Sequence, residues 1–171
     1  SGATDGGASA STSPSGEVSV YSREDGSGTR GAFIELFGIE EKDANGDKVD
    51  LTTPTAAITN STSVMMTSVS GDKNGIGYIS LGSLNDTVKA LAIDGAQPTA
   101  ENVKSGEYKV ARPFNIVTKD GVSDVAQDFI DYIMSSDGQK VVEENGCISV
   151  ADNAGSYKAS GKSGKIVIAG S

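Results

Sequence analysis

Residues 17 to 21 (Glu-Val-Ser-Val-Tyr) alternate polar and apolar side chains, the period-two pattern of a strand, and run into a glycine-rich segment at 26 to 31. Ala32 to Phe37 then carries the apolar spacing of a short helix. A strand, a glycine turn and a helix in that order aim backbone N–H groups and the positive helix end at an anion. Asp43 to Asp47 reads as a turn, because Asn45 and Gly46 supply the positive φ of a tight reversal. Asn60 to Ser70 predicts a helix capped by Ser61 or Asn60, with Val64, Met65 and Val69 inward. Gly75 to Ser80 and Val88 to Ile93 predict strands.

A short helical turn is expected from Thr99 through Val103, and a strand from Arg112 to Thr118, with Pro113 near its start where a missing N–H is tolerated. Ser123 to Met134 is the clearest helix. Val125, Ala126, Phe129, Ile130 and Ile133 share one face, expected to pack on a sheet, while Asp124, Asp128 and Asp131 face out. A second helix starts at Ser136, where Ser136 and Gln139 fit the capping-box spacing, and stops at Asn145 and Gly146. Cys147 to Val150 resumes an extended course, with Cys147 expected as a small buried hydrophobe.

Composition divides the chain further. Residues 1 to 16 are Ser, Gly, Ala and Thr with one Asp and one Pro, too poor in apolar surface to offset the entropy of ordering. They read as a flexible tether of the kind that follows a processed export signal, or as a gene-boundary artefact. A domain is expected over 17 to 150, a Gly/Ser/Ala/Lys linker over 151 to 164, and a buried-strand pattern over 165 to 171. That last strand must pair with something, in this domain or in further sequence.

The 171 residues, 36% of them hydrophobic, suit a soluble globular protein with one ordinary domain. Apolar runs such as Ile166 to Ala169 fall far short of the roughly 20 residues of a membrane span. A net charge of -9 argues against a nucleic-acid partner, which requires a basic surface. A small anion is not excluded, since distant carboxylates are screened over about 10 Å. Cys147 is the one cysteine and histidine is absent, which removes disulfides, Ser-His-Asp and Cys-His catalysis and most zinc chemistry. The expectation is therefore a binding protein and not an enzyme, without cofactor or metal. A calcium loop at Asp43 fails because Lys48 and Pro54 stand where an EF-hand needs Gly and Glu.

The candidate chemistry lies at 23 to 29. Ser27 and Thr29 offer hydroxyls, Gly28 a bare amide, and Arg23 a planar fork matched to two oxygens, with Asp25 placed to brace it. Gly26, Gly28 and Gly31 also satisfy the dinucleotide spacing, with Asp50 downstream as the ribose acceptor, but no second strand of a βαβ unit is evident there. A Walker loop fails for want of Gly-Lys-Ser/Thr. Nucleotide binding and a purely structural glycine turn both stay open as alternatives.

The run from Ser22 to Phe33 (Ser-Arg-Glu-Asp-Gly-Ser-Gly-Thr-Arg-Gly-Ala-Phe) resembles the anion-contacting segment of the type II solute-binding proteins of phosphate ABC transporters. Asn74 to Ser80, Val88 to Leu91, Tyr108 to Phe114 and Phe129 to Val142 resemble the same family in the same order. The resemblance implies an α/β fold of the periplasmic-binding-protein type II kind, an incomplete two-lobed architecture with a mixed sheet flanked by helices. It also implies phosphate as ligand, ABC permease subunits as partners, and an extracytoplasmic, lipid-anchored setting with the anchor upstream of residue 1. Carried over, Arg23, Ser27, Gly28 and Thr29 contact phosphate, Asp25 braces Arg23, and Arg30 faces the helix exterior.

One departure stands out. In the family the chain begins with a strand like Lys165 to Ser171, which here comes last. A fragment, a tandem or permuted protein, or a standalone relic would each have this order. The 171 residues alone are expected to bind phosphate weakly or not at all. Phosphate and sulfate differ by a proton, and no acceptor carboxylate that would tell them apart is evident.

Overall fold

The computed structural model describes residues 16 to 169. The tether expected over 1 to 16 lies outside the described residues apart from Gly16, as do Gly170 and Ser171. Five short strands and five helices follow in the order β1 (Ser19–Arg23), α1 (Gly28–Leu36), β2 (Glu40–Lys42), β3 (Lys48–Asp50), β4 (Ala57–Thr59), α2 (Thr62–Gly71), β5 (Gly75–Ile76), α3 (Ala100–Ser105), α4 (Asp124–Met134) and α5 (Ser136–Glu144).

β1 is central. It pairs in parallel with β4, Tyr21 opposite Ala57 and Arg23 opposite Thr59, and with β5, Ser19 opposite Gly75. β2 and β3 form a separate antiparallel hairpin whose reversal is the expected turn, Asp43 Oδ1 accepting the N–H groups of Asn45 and Asp47 at 2.8 and 2.9 Å. α2 packs against all three strands of the parallel sheet, and α1 against β1. The buried apolar core is small: Ile34 from α1 with Met65 and Met66 from α2, Met65 wholly inaccessible.

Ser61 caps α2 as expected, accepting from the Val64 N–H at 3.2 Å. The inward face is rotated, however: Met65 and Met66 go in, Val69 is half-buried, and Val64 lies exposed. Thr99 caps α3 and Ser123 caps α4 as their side chains allow, while the cap of α5 is Ser135, one residue before the expected Ser136. α4 packs against α5. Its expected seat on a sheet is not what the structure has, and none of its residues is fully buried.

Three expected strands form no ladder among the described residues. Val88 to Ile93 forms no ladder, only an isolated bridge from Ile93 to Ala96 around Asp94 and Gly95, both at positive φ. Arg112 to Thr118 is irregular, with Phe114 85% exposed. A period-two pattern becomes a strand only when another strand supplies its N–H and C=O partners. Lys165 to Ala169 is likewise irregular, with Val167 and Ile168 exposed. Cys147, expected inside, is exposed.

The stretch after Val150 has no regular structure but follows α4. Ser136 N–H donates to the Gly155 carbonyl, Tyr157 Oη donates to Asp128 at 2.7 Å and stacks edge-on against Tyr132, and Gly164 lies against Val125.

Candidate functional site

β1 ends at Arg23 and the chain turns over Glu24 to Ser27, closed by Ser27 N–H to the Glu24 carbonyl at 3.2 Å. Gly26 sits at φ +82°, a conformation that favours glycine, and the helix starts immediately at Gly28. Ser27 is the cap: its Oγ accepts from the Arg30 N–H at 3.3 Å, which leaves its own hydroxyl proton free to donate outward. Among the described residues, the amides of Gly28 and Thr29 have no protein acceptor, as the first turn of a helix dictates. Ser27, Gly28 and Thr29 thus stand together at a positive helix end.

The turn is braced from behind. Ser22 is buried on β1, where its Oγ meets Tyr78 Oη at 2.8 Å, and Tyr78 Oη also accepts the Arg23 N–H at 3.0 Å. Thr59 Oγ1 donates to the Ser22 carbonyl across the β1–β4 pair, and the Tyr78 ring stacks on Phe33 of α1 at 4.0 Å. Strand, helix and loop are therefore clamped by one tyrosine.

Arg23 is brought to the loop, but its brace is not Asp25. Nε and Nη2 donate to Glu24 at 2.8 and 3.0 Å, and Nη1 reaches Thr62 Oγ1 at 3.3 Å. The bidentate bond from Arg23 holds the Glu24 carboxyl below the usual carboxylate range and raises Arg23 further. Asp25 instead pairs with Arg30 at 2.7 Å and is 96% exposed. Adjacent residues on a turn let Glu24 fold back along the guanidinium, whereas Asp25 sits at the turn's outer corner.

Arg30, expected on the helix exterior, is turned in, its side chain 16% exposed. It donates to the Arg23 carbonyl at 2.9 Å and pairs with Asp50 at 2.8 Å. Asp50 is thereby occupied. Burial pushes its carboxyl up, and bonds from Thr52 and Arg30 bring it below its ordinary value. It lies on a hairpin strand and not on the second strand of a βαβ unit, so the acidic position that a ribose would need is taken.

Sequence reasoning did not single out Glu24, Thr62, Tyr78 or Arg112 as members of this constellation. Arg112 Nη2 donates to the Gly28 carbonyl at 3.0 Å from 84 positions away. Tyr78 and Arg112 lie within the runs that carry the resemblance, which was the one available signal; nothing in spacing alone joins them to residue 28.

The loop opens on a cavity of about 1930 Å³ lined by Val20, Phe33, Ile76, Tyr78, Arg112 and Phe114 among others. Small-molecule pockets span roughly 300–1,000 Å³, so this space is not moulded to one tetrahedral anion. Its lining runs from β1 and α1 through residues 75–84 and 110–116 to α4 and α5.

A clamped strand–turn–helix with free amides at the helix start defines an α/β domain whose loop presents donors of the kind an oxyanion needs. Residues 6–137 match the PBP superfamily domain, and the chain belongs to that family. It is 60% identical over 162 residues to phosphate-binding protein PstS 2 of Streptococcus agalactiae, covering 94% of this chain and 55% of that protein. Among solved structures, the phosphate-binding protein of a phosphate ABC transporter from Streptococcus pneumoniae superposes with a TM-score of 0.82 at 48% identity, over 87% of this chain and 58% of that one. A putative phosphate ABC transporter substrate-binding protein with bound phosphate from Clostridium perfringens gives 0.64 at 39% identity, over 78% and 52%. The chain spans about half the length of the curated relatives it matches.

Proposed function

We propose that this chain is the Gly-Ser-Gly-Thr portion of an extracytoplasmic solute-binding protein that holds inorganic phosphate for an ABC importer. The observation that carries the reading is the pair of unpartnered amides of Gly28 and Thr29 beside two free hydroxyl protons at the start of α1, in a chain whose relatives bear the name phosphate-binding protein. Phosphate is held by replacing its hydration with fixed donors, and these need no reorganisation. Arg23 supplies the cation, its Nη1 edge beside Thr62 being the part not committed to Glu24. Asp25 supports the loop through Arg30.

In this reading residues 1 to 16 are the tether from a lipid anchor, 17 to 150 carry the binding domain, 151 to 164 form a linker, and 165 to 171 lead into the other lobe. The partners are permease subunits of the importer. Binding and delivery, with no bond made or broken, is the whole activity.

Calorimetric titration of phosphate into the protein as its gene encodes it tests the assignment. Arg23→Ala should abolish the heat that the wild type gives, because a buried charge-assisted contact is lost. Equal binding in the two proteins would remove Arg23 from the site.

A further inference from the structure

We infer that Arg112 is a positioning residue of the anion loop: reaching from the segment before α4, it holds the Gly28 carbonyl and thereby aims the Thr29 N–H at the anion. The inference rests on the phosphate reading above and adds a residue remote in sequence. Nη2 of Arg112 donates to the Gly28 carbonyl at 3.0 Å. That carbonyl and the Thr29 N–H belong to one planar trans peptide, in which oxygen and hydrogen point in opposite directions. Holding the oxygen therefore holds the hydrogen.

Gly28 is the residue of the loop that most needs such a hold. Without a side chain its backbone is free to turn, and the nearest group that a β-carbon there would meet is the Arg112 guanidinium itself, at 3.8 Å. In α1 the Gly28 carbonyl also accepts the helical bond from the Ala32 N–H, so Arg112 is its second donor, while the Thr29 N–H of the same peptide has no protein acceptor among the described residues.

Charge points the same way. The loop's two arginines face three carboxylates: Arg23 is taken by Glu24, and Arg30 by Asp25 and Asp50. That local excess of negative charge opposes an incoming anion. Arg112, the third arginine of the sequence, pairs with no carboxylate among the described residues and places its charge directly on the loop. Its bond is exposed, so the hold contributes little to folding and is read in ligand affinity instead.

Titration of inorganic phosphate into the protein as its gene encodes it, in wild-type, Arg112→Ala and Arg112→Lys forms, tests this. Arg112→Ala should bind about tenfold more weakly, the effect of one charge-assisted hydrogen bond. Arg112→Lys keeps a donor and the charge and should return to within about threefold of the wild type. In a nitrogen–proton correlation spectrum without phosphate, the Thr29 signal should move in Arg112→Ala while those of α2 stay. Unchanged affinity in Arg112→Ala overturns the inference whatever the Thr29 signal does. If the wild type itself gives no phosphate heat, the phosphate reading fails, and an unmoved Thr29 signal then overturns the hold as well.

Discussion

The half of the molecule built around β1 and the half built around α4 and α5 are held together by different means. In the first, every strand of the parallel sheet depends on a residue far away: Tyr21 on Ala57, Ser19 on Gly75, Ser22 on Tyr78, with Met65 wholly buried against the sheet side. In the second, bonds are mostly near in sequence. Ser123 caps α4, Ser135 caps α5 and donates to the Tyr132 carbonyl, and the longer reaches come from the strap after Val150, where Tyr157 bonds Asp128 and Asp137 and Gly155 accepts from Ser136. The first half carries the glycine loop on long-range contacts; the second is a pair of local helices whose apolar side chains are at most half-buried, with Ser135 and Gln139 its buried polar groups. The placement is reasonable on physical grounds, because a loop that must hold donors still has to sit where many distant contacts agree.

Substitutions can sharpen or break that contrast. The largest effect is expected from Met65→Ala, which empties the centre of the first half and should cost about 2–5 kcal/mol in urea unfolding. A loss no greater than that of a surface change would mean that the sheet half has no cooperative core.

Acid should come next, and should act more on the first half, which holds more of the lowered carboxyls. Asp72 is held below its ordinary pKa by the Ser19 hydroxyl and the Asn74 amide, Asp43 by the amides of Asp47 and Asn45, and Glu24 by Arg23; in the second half Asp128 is lowered by Tyr157. Each depressed carboxyl binds its proton more weakly folded than unfolded. Its contribution is complete above the unfolded value of about 4 and is lost as pH falls through the lower folded value. The melting temperature followed from pH 6 to pH 2 should therefore fall below about pH 4, with Asp72→Asn showing a shallower fall. A flat profile would contradict the account.

The smallest effect belongs to a cap. Ser123→Ala should cost about 1 kcal/mol, measured in the same urea titration, and should lower α4 helicity without shifting the signals of the anion loop. A shifted loop would show that the two halves are coupled more tightly than their contacts suggest.

Much of the geometry of the loop at residues 24 to 29 was legible in advance. Glycines 26 and 28 after an alternating strand, followed by a helix, announce a strand–turn–helix, and the hydroxyls at 27 and 29 mark where donors gather. The order of the arginine pairs was not legible. Asp25 was the expected partner of Arg23, and nothing local says that Glu24 takes that place or that Arg30 turns inward to reach Asp50 on a hairpin 20 residues on. Such choices depend on where the backbone carries each carboxylate.

The sequence by itself determined that the helices form, the Ser61 cap, the Asn45–Gly46 turn and the strand–turn–helix around residues 24 to 29, since each rests on bonds within a few positions. Tertiary structure alone decided which strand patterns became strands. Ser19 to Arg23 found neighbours on both sides, while Val88 to Ile93 and Arg112 to Thr118, also apolar enough to read as strands, formed no ladder. It also decided that Cys147 faces out, that Tyr78 clamps the loop, and that Arg112 lies on Gly28. The reason is the same in each case: a β-ladder, an ion pair and a buried face all require a partner whose position no local pattern encodes.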